Sequence, residues 1–294
     1  MIRQRGIDPE SPAEGDGIPL TAADGHRFRL LLRAPAEPVA ALLWLPALGI
    51  AARHYLAFAE ALTARGVAVF LHEWRGHGSS DRRAGRNVDW GYRELLTTDL
   101  PTSVAHIREQ FPSLPKIVGG HSLGAQLAAC LLALQPHTAE RLWLVASGSP
   151  FWHIFPRPRA WLLPLTYRLL PWLADRNGSL PGRSIGFGGN EARGVMADWA
   201  RTGLSGRYAG KHMDIDLEAA LAGVQVDIDA VLLADDWLAP RASLDFLTAK
   251  MRPVDVRVEI LDTQRLGGRA DHFAWMKRPQ AVAAALAAGL QPAT

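Results

Sequence analysis

Apolar residues along this chain fall in short unbroken runs separated by stretches of helical spacing. Residues 39–45, 67–71 and 142–146 are continuous apolar runs of strand length, as expected of strands buried on both faces, and residues 226–234 read as a further buried strand. Residues 18–32 read as two strands joined by a turn at Asp24-Gly25, a hairpin signal. Residues 51–65 form an amphipathic pattern: Tyr55, Phe58, Ala59 and Leu62 share one helical face, with Arg53, Glu60 and Thr63 elsewhere and Gly66 as the C-terminal cap. Helical spacing also covers residues 90–111, where Pro101 suggests a helix start with Asp99 as N-cap. Residues 123–134 are apolar almost all round and predict a buried helix. Shorter helices are predicted at 217–221 and 242–250, and an alanine-rich last helix at 274–290. Val254, Val256, Val258 and Ile260 alternate with charged residues, the pattern of a half-exposed outer strand.

A hairpin followed by strand–helix repeats predicts an α/β fold, a mainly parallel eight-stranded sheet with helices on both faces. The repeat breaks after Gly148. Residues 150–212 are rich in Pro, Gly and Trp, with Trp152, Trp161, Trp172 and Trp199 as landmarks, and are too apolar for a linker. They read as a cap inserted after the sixth strand, between core segments 18–149 and 213–292, with residues 1–17 a loose leader. Whether the cap tryptophans line a cavity or pack the cap is open at this level.

Composition narrows the class. A hydrophobic content of 48% supports a sizeable core. The net charge of +3 is spread among interspersed acids and bases, with no basic run of the kind that binds nucleic acid. Cys130 is the only cysteine, so neither an intrachain disulfide nor a cysteine metal cluster can form. The first 17 residues lack a signal-peptide core. The most apolar window, residues 161–174, is broken by Pro164, Arg168 and Pro171 and is too short to span a bilayer. A soluble cytoplasmic protein, without stable membrane insertion, is the expectation.

Chemistry concentrates at Gly120-His121-Ser122-Leu123-Gly124, a Gly-x-Ser-x-Gly nucleophile-elbow pattern between an apolar strand and the buried helix. Glycines on either side of the serine let strand and helix approach where a Cβ would collide. Gly182-Arg183-Ser184-Ile185-Gly186 matches the same pattern but follows no strand and precedes no helix, so Ser184 reads as a loop residue.

A serine hydroxyl needs an imidazole to take its proton and a carboxylate to orient that imidazole. In parallel sheets such groups gather beyond the carboxyl ends of strands. Asp235 and Asp236 follow the run at 226–234, and His272 lies in the loop after the outer strand. His272 is the base by position; the two aspartates compete for the acid. Asp271 is too close in sequence to His272 to orient it. His121 points off the elbow and reads as structural, and His72 with His77 lacks a third metal ligand nearby. The oxyanion requires two backbone donors: the N–H of Leu123, and one from residues 46–49, assigned to Leu48. No metal or organic cofactor is called for.

With these residues in view, the chain resembles the α/β-hydrolase superfamily. Within it the chain resembles bacterial serine hydrolases near the serine-aminopeptidase and monoglyceride-lipase-like branch. The resemblance rests on Trp74-Arg75-Gly76-His77-Gly78-Ser79-Ser80, Asp99-Leu100-Pro101, the elbow through Leu127, residues 235–240, Gly194-Val195-Met196 and Asp198-Trp199-Ala200. Spacing usual in that group, four residues before Pro240, points to Asp236 as the acid. Departures are Pro46-Ala47 in place of His-Gly, Asp271 in place of glycine before His272-Phe273, and Ala125 for the elbow's frequent third glycine. The resemblance implies hydrolysis of an ester or related acyl bond in a small molecule, with the aromatic cap suggesting an apolar acyl or aromatic substrate. An acyltransferase, a small-peptide peptidase or a non-catalytic ligand-binding protein on the same fold are the alternatives. Dehalogenase or epoxide-hydrolase chemistry is disfavoured, because those relatives carry aspartate where this chain has Ser122.

Overall fold

A computed structural model describes residues 17–290; the expected leader, apart from Gly17, lies outside the described residues. An antiparallel hairpin opens the fold, β1 (Ile18–Thr21) and β2 (Arg27–Arg33), turning where Gly25 adopts a positive φ. Strand β3 (Ala40–Leu45) leads through a 3₁₀ turn at Ala52–Tyr55 into α1 (Leu56–Thr63), followed by β4 (Val67–Leu71). Next come α2 (Tyr92–Glu94), a π-helical turn (Leu95–Asp99) and α3 (Leu100–Gln110) in one run. Strand β5 (Lys116–His121), α4 (Leu123–Leu134) and β6 (Arg141–Val145) complete the first half.

Between β6 and the next core strand lie α5 (Arg159–Asn177), β7 (Leu180–Pro181), α6 (Gly182–Ile185), β8 (Asn190–Glu191), α7 (Arg193–Ser205) and α8 (Leu217–Leu221). Then follow β9 (Asp227–Leu233), α9 (Arg241–Thr248), β10 (Val256–Leu261), α10 (Thr263–Leu266), a 3₁₀ turn at Ala274–Lys277 and α11 (Gln280–Ala287). The eight-stranded sheet has the order β1-β2-β4-β3-β5-β6-β9-β10. β1 and β2 pair antiparallel, as do β2 and β4, and every later pair is parallel.

The central strands are apolar without alternation because each faces a core on both sides. Along β3, Leu43 and Leu45 join the cluster under α3 and α4, while Leu42 and Trp44 join the cluster under α1 and α11. Each fully buried side chain of this size contributes roughly 1.5–3 kcal/mol. β10 pairs only with β9, at the sheet edge as expected of an outer strand, but Val256 and Ile260 are exposed rather than turned inward, while Arg257 is half-buried on Asp229.

Three local expectations are corrected. Asp99 does not cap a helix; it sits in helical geometry within the continuous run from Tyr92 to Gln110. The π turn just ahead of Pro101, with Leu100 N–H bonded to the Leu95 carbonyl, lets the run absorb a proline that lacks an N–H. The last helix is divided, because Pro279 ends the 3₁₀ turn before α11 begins. Ser184 stands in the four-residue α6 rather than in a loop, and it is exposed. The tryptophans of residues 150–212 divide: Trp199 packs against Tyr167 and Phe187, whereas Trp161 and Trp172 are 63% and 57% exposed.

Candidate active site

Ser122 holds φ 54° and ψ −120° at the junction of β5 and α4. A non-glycine residue pays for that conformation only where the surroundings enforce it, and here they do. The Ser122 N–H donates to the Val145 carbonyl at 3.0 Å, and its own carbonyl accepts from Ala125 N, Gln126 N and the Ser147 hydroxyl. A Cβ on Gly124 would stand 2.1 Å from the Leu45 carbonyl oxygen, and one on Gly120 would stand 2.5 Å from the Gly124 carbonyl carbon. Both glycines are therefore required by close backbone approach. The Ser122 side chain is half-buried and makes no hydrogen bond among the described residues.

Beyond the carboxyl end of β9, Asp236 is buried and uses both carboxylate oxygens. Oδ1 accepts from Leu238 N at 2.9 Å, and Oδ2 lies 2.7 Å from His272 Nδ1. An ionised carboxylate can only accept, so His272 Nδ1 carries the proton and Nε2 is left free as an acceptor. The two loops are tied by their backbones, Asp235 N–H donating to the Ala270 carbonyl at 2.9 Å. The Asp235 side chain faces outward, where it accepts from Thr263 Oγ1 at 3.4 Å. Asp271 caps the turn after His272: its Oδ1 accepts from Phe273 N at 3.1 Å and Ala274 N at 2.7 Å.

His121, next to the serine, links these parts. Its ring lies 4.9 Å from that of His272 and 5.2 Å from that of Trp275. Tyr55 Oη accepts from Ala47 N–H at 2.9 Å and lies 2.8 Å from His121 Nδ1, so its own proton is free for that nitrogen. Burial first, then the proximity of His272, holds His121 far below the usual histidine range, and it stays neutral. Tyr55 thus joins the β3 loop to the elbow, a role its apolar-face spacing conceals. A hydroxyl on the buried face of a helix was the available signal, since such groups require a partner.

Leu48 and Leu123 line one narrow, partly open pocket with Trp74, Trp90, Leu127 and Val195. Neither residue's amide N–H donates a backbone hydrogen bond among the described residues. His77 and Glu191 close the pocket from the loop after β4 and from β8, 3.3 Å apart. Burial opposes protonation of His77, but its hydrogen bond to Glu191 together with the charges of Glu191 and Glu73 outweighs that and raises it above the ordinary value. His72 is engaged elsewhere, with Nδ1 on Ser103 Oγ at 3.0 Å, and burial pushes it down to about 3.

Behind the pocket, two stretches named above for their sequence become one ion pair. Arg75 donates to both oxygens of Asp99, at 2.9 and 2.6 Å, and to Asp24 at 2.7 Å. His26 Nδ1 adds a contact to Asp99 at 2.9 Å. This network anchors the loop from Trp74 to Ser80 against the hairpin and the π turn.

Comparison with known proteins follows the same lines. The family model of serine aminopeptidase, S33, matches residues 36–185, about half the chain, including the elbow but stopping short of Asp236 and His272. No curated protein matches the sequence. Among solved structures, a hydrolase from Pseudomonas aeruginosa PA01 is similar with TM-score 0.60 at 20% identity, covering 94% of this chain and 100% of its own. An esterase from Exiguobacterium antarcticum gives TM-score 0.59 at 14% identity, with 92% and 98% covered. A monoacylglycerol lipase from Paleococcus ferrophilus gives 0.56 at 15%, with 88% and 99% covered. At these identities the likeness speaks for a shared fold.

Proposed function

The chain belongs to the serine aminopeptidase S33 family of α/β-hydrolases, and from that premise we propose that it is a serine hydrolase cleaving carboxylic esters through an acyl-enzyme on Ser122. The observation that carries this reading is the 2.7 Å pairing of His272 with Asp236, in a loop packed against the residue beside Ser122. Open or loosely aligned serine–histidine contacts are common before substrate binds.

In the proposed reaction Ser122 Oγ attacks the ester carbonyl carbon while its proton passes to His272 Nε2. Asp236 keeps the proton on Nδ1 and stabilises the imidazolium that forms. The carbonyl π electrons move onto oxygen, held by the amides of Leu48 and Leu123; losing one such donor typically costs about 3 kcal/mol. Collapse breaks the bond to the alcohol, which takes its proton from His272. Water then repeats the sequence and releases the acid. The apolar lining beside Leu48 and Leu123, and its narrowness, support a short apolar acyl group.

Hydrolysis of a small peptide from its amino end is the reading that the family's description would suggest. It needs an unpaired anion to receive an α-ammonium group. The pocket's carboxylate, Glu191, is already engaged with His77, which favours the ester. Residues 150–212 act as a cap in this scheme, closing the pocket through Glu191.

A fluorophosphonate probe tests the assignment. Wild type should be labelled, Ser122→Ala should not, and a panel of p-nitrophenyl esters of increasing acyl length should show highest kcat/KM for short chains. Undiminished labelling of Ser122→Ala would overturn the mechanism.

A further inference from the structure

The outward face of α5 is apolar where a surface helix is ordinarily polar. Its buried residues are Ala160, Tyr167, Leu170 and Ala174. On the opposite side Trp161, Leu162, Leu165, Leu169 and Trp172 are all at least half exposed, three of them above 60%. At the helical repeat these five fall within an arc of about 100°, opposite the buried four. A contiguous exposed patch of two tryptophans and three leucines marks an interaction surface rather than scattered surface apolarity.

Charge says what kind. Arg157, Arg159, Arg168 and Arg176 are exposed along the same helix and its approach. Residues 150–212 hold nine Lys and Arg against three Asp and Glu, whereas the whole chain is only +3, so the rest of the molecule is net negative. Two of the three acids, Glu191 and Asp198, are buried and paired with His77 and Arg201. Arg193, Arg201 and Arg207 are paired with Asp89, Asp198 and Asp216, so the charge beside the apolar stripe is that of Arg157, Arg159, Arg168 and Arg176 against the one exposed acid of the helix, Asp175.

We propose that this face of α5 docks on an anionic lipid bilayer, the helix lying in the headgroup layer with its tryptophans and leucines toward the acyl chains. An arginine-flanked helix with Trp and Leu on one face has the composition for that position. No helix among the described residues is long and apolar enough to cross a membrane, so the contact is peripheral. A second copy of the chain is the poorer occupant, because a two-fold contact would set these arginines against their own copies. The surface also adjoins the site: Arg159 lies 5.0 Å over the ring of Trp237, the neighbour of Asp236, and Trp237, Leu238 and Phe273 are exposed. Docking on this face brings the His272 and Asp236 loops toward the bilayer.

Vesicle flotation of the full chain tests this, using phosphatidylcholine vesicles with and without about one-third phosphatidylglycerol. Wild type should float with the anionic vesicles at least about tenfold more strongly than with neutral ones, and 0.5 M salt (about 3 times physiological) should release it. Trp161→Ser/Leu165→Ser/Trp172→Ser should lose flotation while keeping the wild-type melting temperature and hydrolysis of a water-soluble ester, since all three side chains are exposed. A second variant, Arg168→Gln/Arg176→Gln, should lose the preference for anionic lipid. No flotation of wild type, or equal flotation of the triple variant, would overturn the proposal. So would a wild-type dimer in light scattering that the triple variant converts to monomer, because that assigns the face to a second copy.

Discussion

Asp236 Oδ2 and His272 Nδ1 meet at 2.7 Å although 36 residues separate them in the chain. The pairing depends on two strand ends, β9 and β10, lying side by side in parallel register, with the Asp235 amide clamped to the Ala270 carbonyl. Asp235 is equally near in sequence, but its side chain leaves the sheet in the opposite direction and meets Thr263. Asp236→Asn should therefore lower kcat on a p-nitrophenyl ester by on the order of 10⁴, through loss of the correct tautomer. Asp235→Asn should stay within a few-fold of wild type, and equal losses in the two variants would mean that the orienting acid is misassigned.

The elbow should be intolerant of the smallest enlargement. A methyl group on Gly124 would meet the carbonyl oxygens of Leu45 and Pro46 at 2.1 and 2.4 Å, and backbone cannot swing aside as a side chain can. Gly124→Ala should cost at least about 1–3 kcal/mol, read as a lower midpoint in urea. Gly186→Ala, in the second Gly-x-Ser-x-Gly match, meets nothing within 4 Å, though its positive φ imposes a modest strain. It should be the milder of the two.

Asp99 supplies a pH-dependent term. Burial alone would raise its pKa, but hydrogen bonds from His26 and Arg75 outweigh burial and hold it below the ordinary carboxylate value of 3.8. The folded value thus lies under the unfolded one, so the contribution is complete above about pH 4 and is lost as pH falls through the folded value. Asp99→Asn should cost about 3 kcal/mol at neutral pH by leaving Arg75 under-compensated. In urea unfolding the gap to wild type should narrow near pH 3, and a gap that widened on acidification would contradict this sign.

Cys130 lies in α4 with no exposed surface, and burial pushes its thiol well above the ordinary range. Ellman's reagent should leave it unmodified in the native protein and react with one thiol per chain in denaturant.

Much of the architecture was legible because burial on both faces leaves an unmistakable mark. Continuous apolar runs announced β3, β4 and β6, the apolar end of residues 226–234 announced β9, and alternation announced the outer position of β10. Local chemistry was legible too, since Gly120-x-Ser122-x-Gly124 between an apolar strand and a buried helix marks the turn, although Val145, Ser147 and Leu45 are what hold it in shape. The N-cap assigned to Asp99 failed for a complementary reason. Spacing and Pro101 describe only the helix, whereas the carboxylate's role comes from Arg75 and His26, which lie 24 and 73 residues away. Tyr55 was hidden in the same manner, counted among apolar face residues while its hydroxyl joins Ala47 to His121.

From its order of residues alone, this protein is committed to a parallel α/β sheet with a serine raised on a turn. Those features follow from local sterics and from the period of apolar side chains, which are properties of neighbouring positions. Which aspartate meets His272, and what Asp99 and Tyr55 do, were decided only in three dimensions. So was the turning of Trp161 and Trp172 to solvent. Each depends on the direction in which a side chain leaves its strand or helix toward residues distant in the chain.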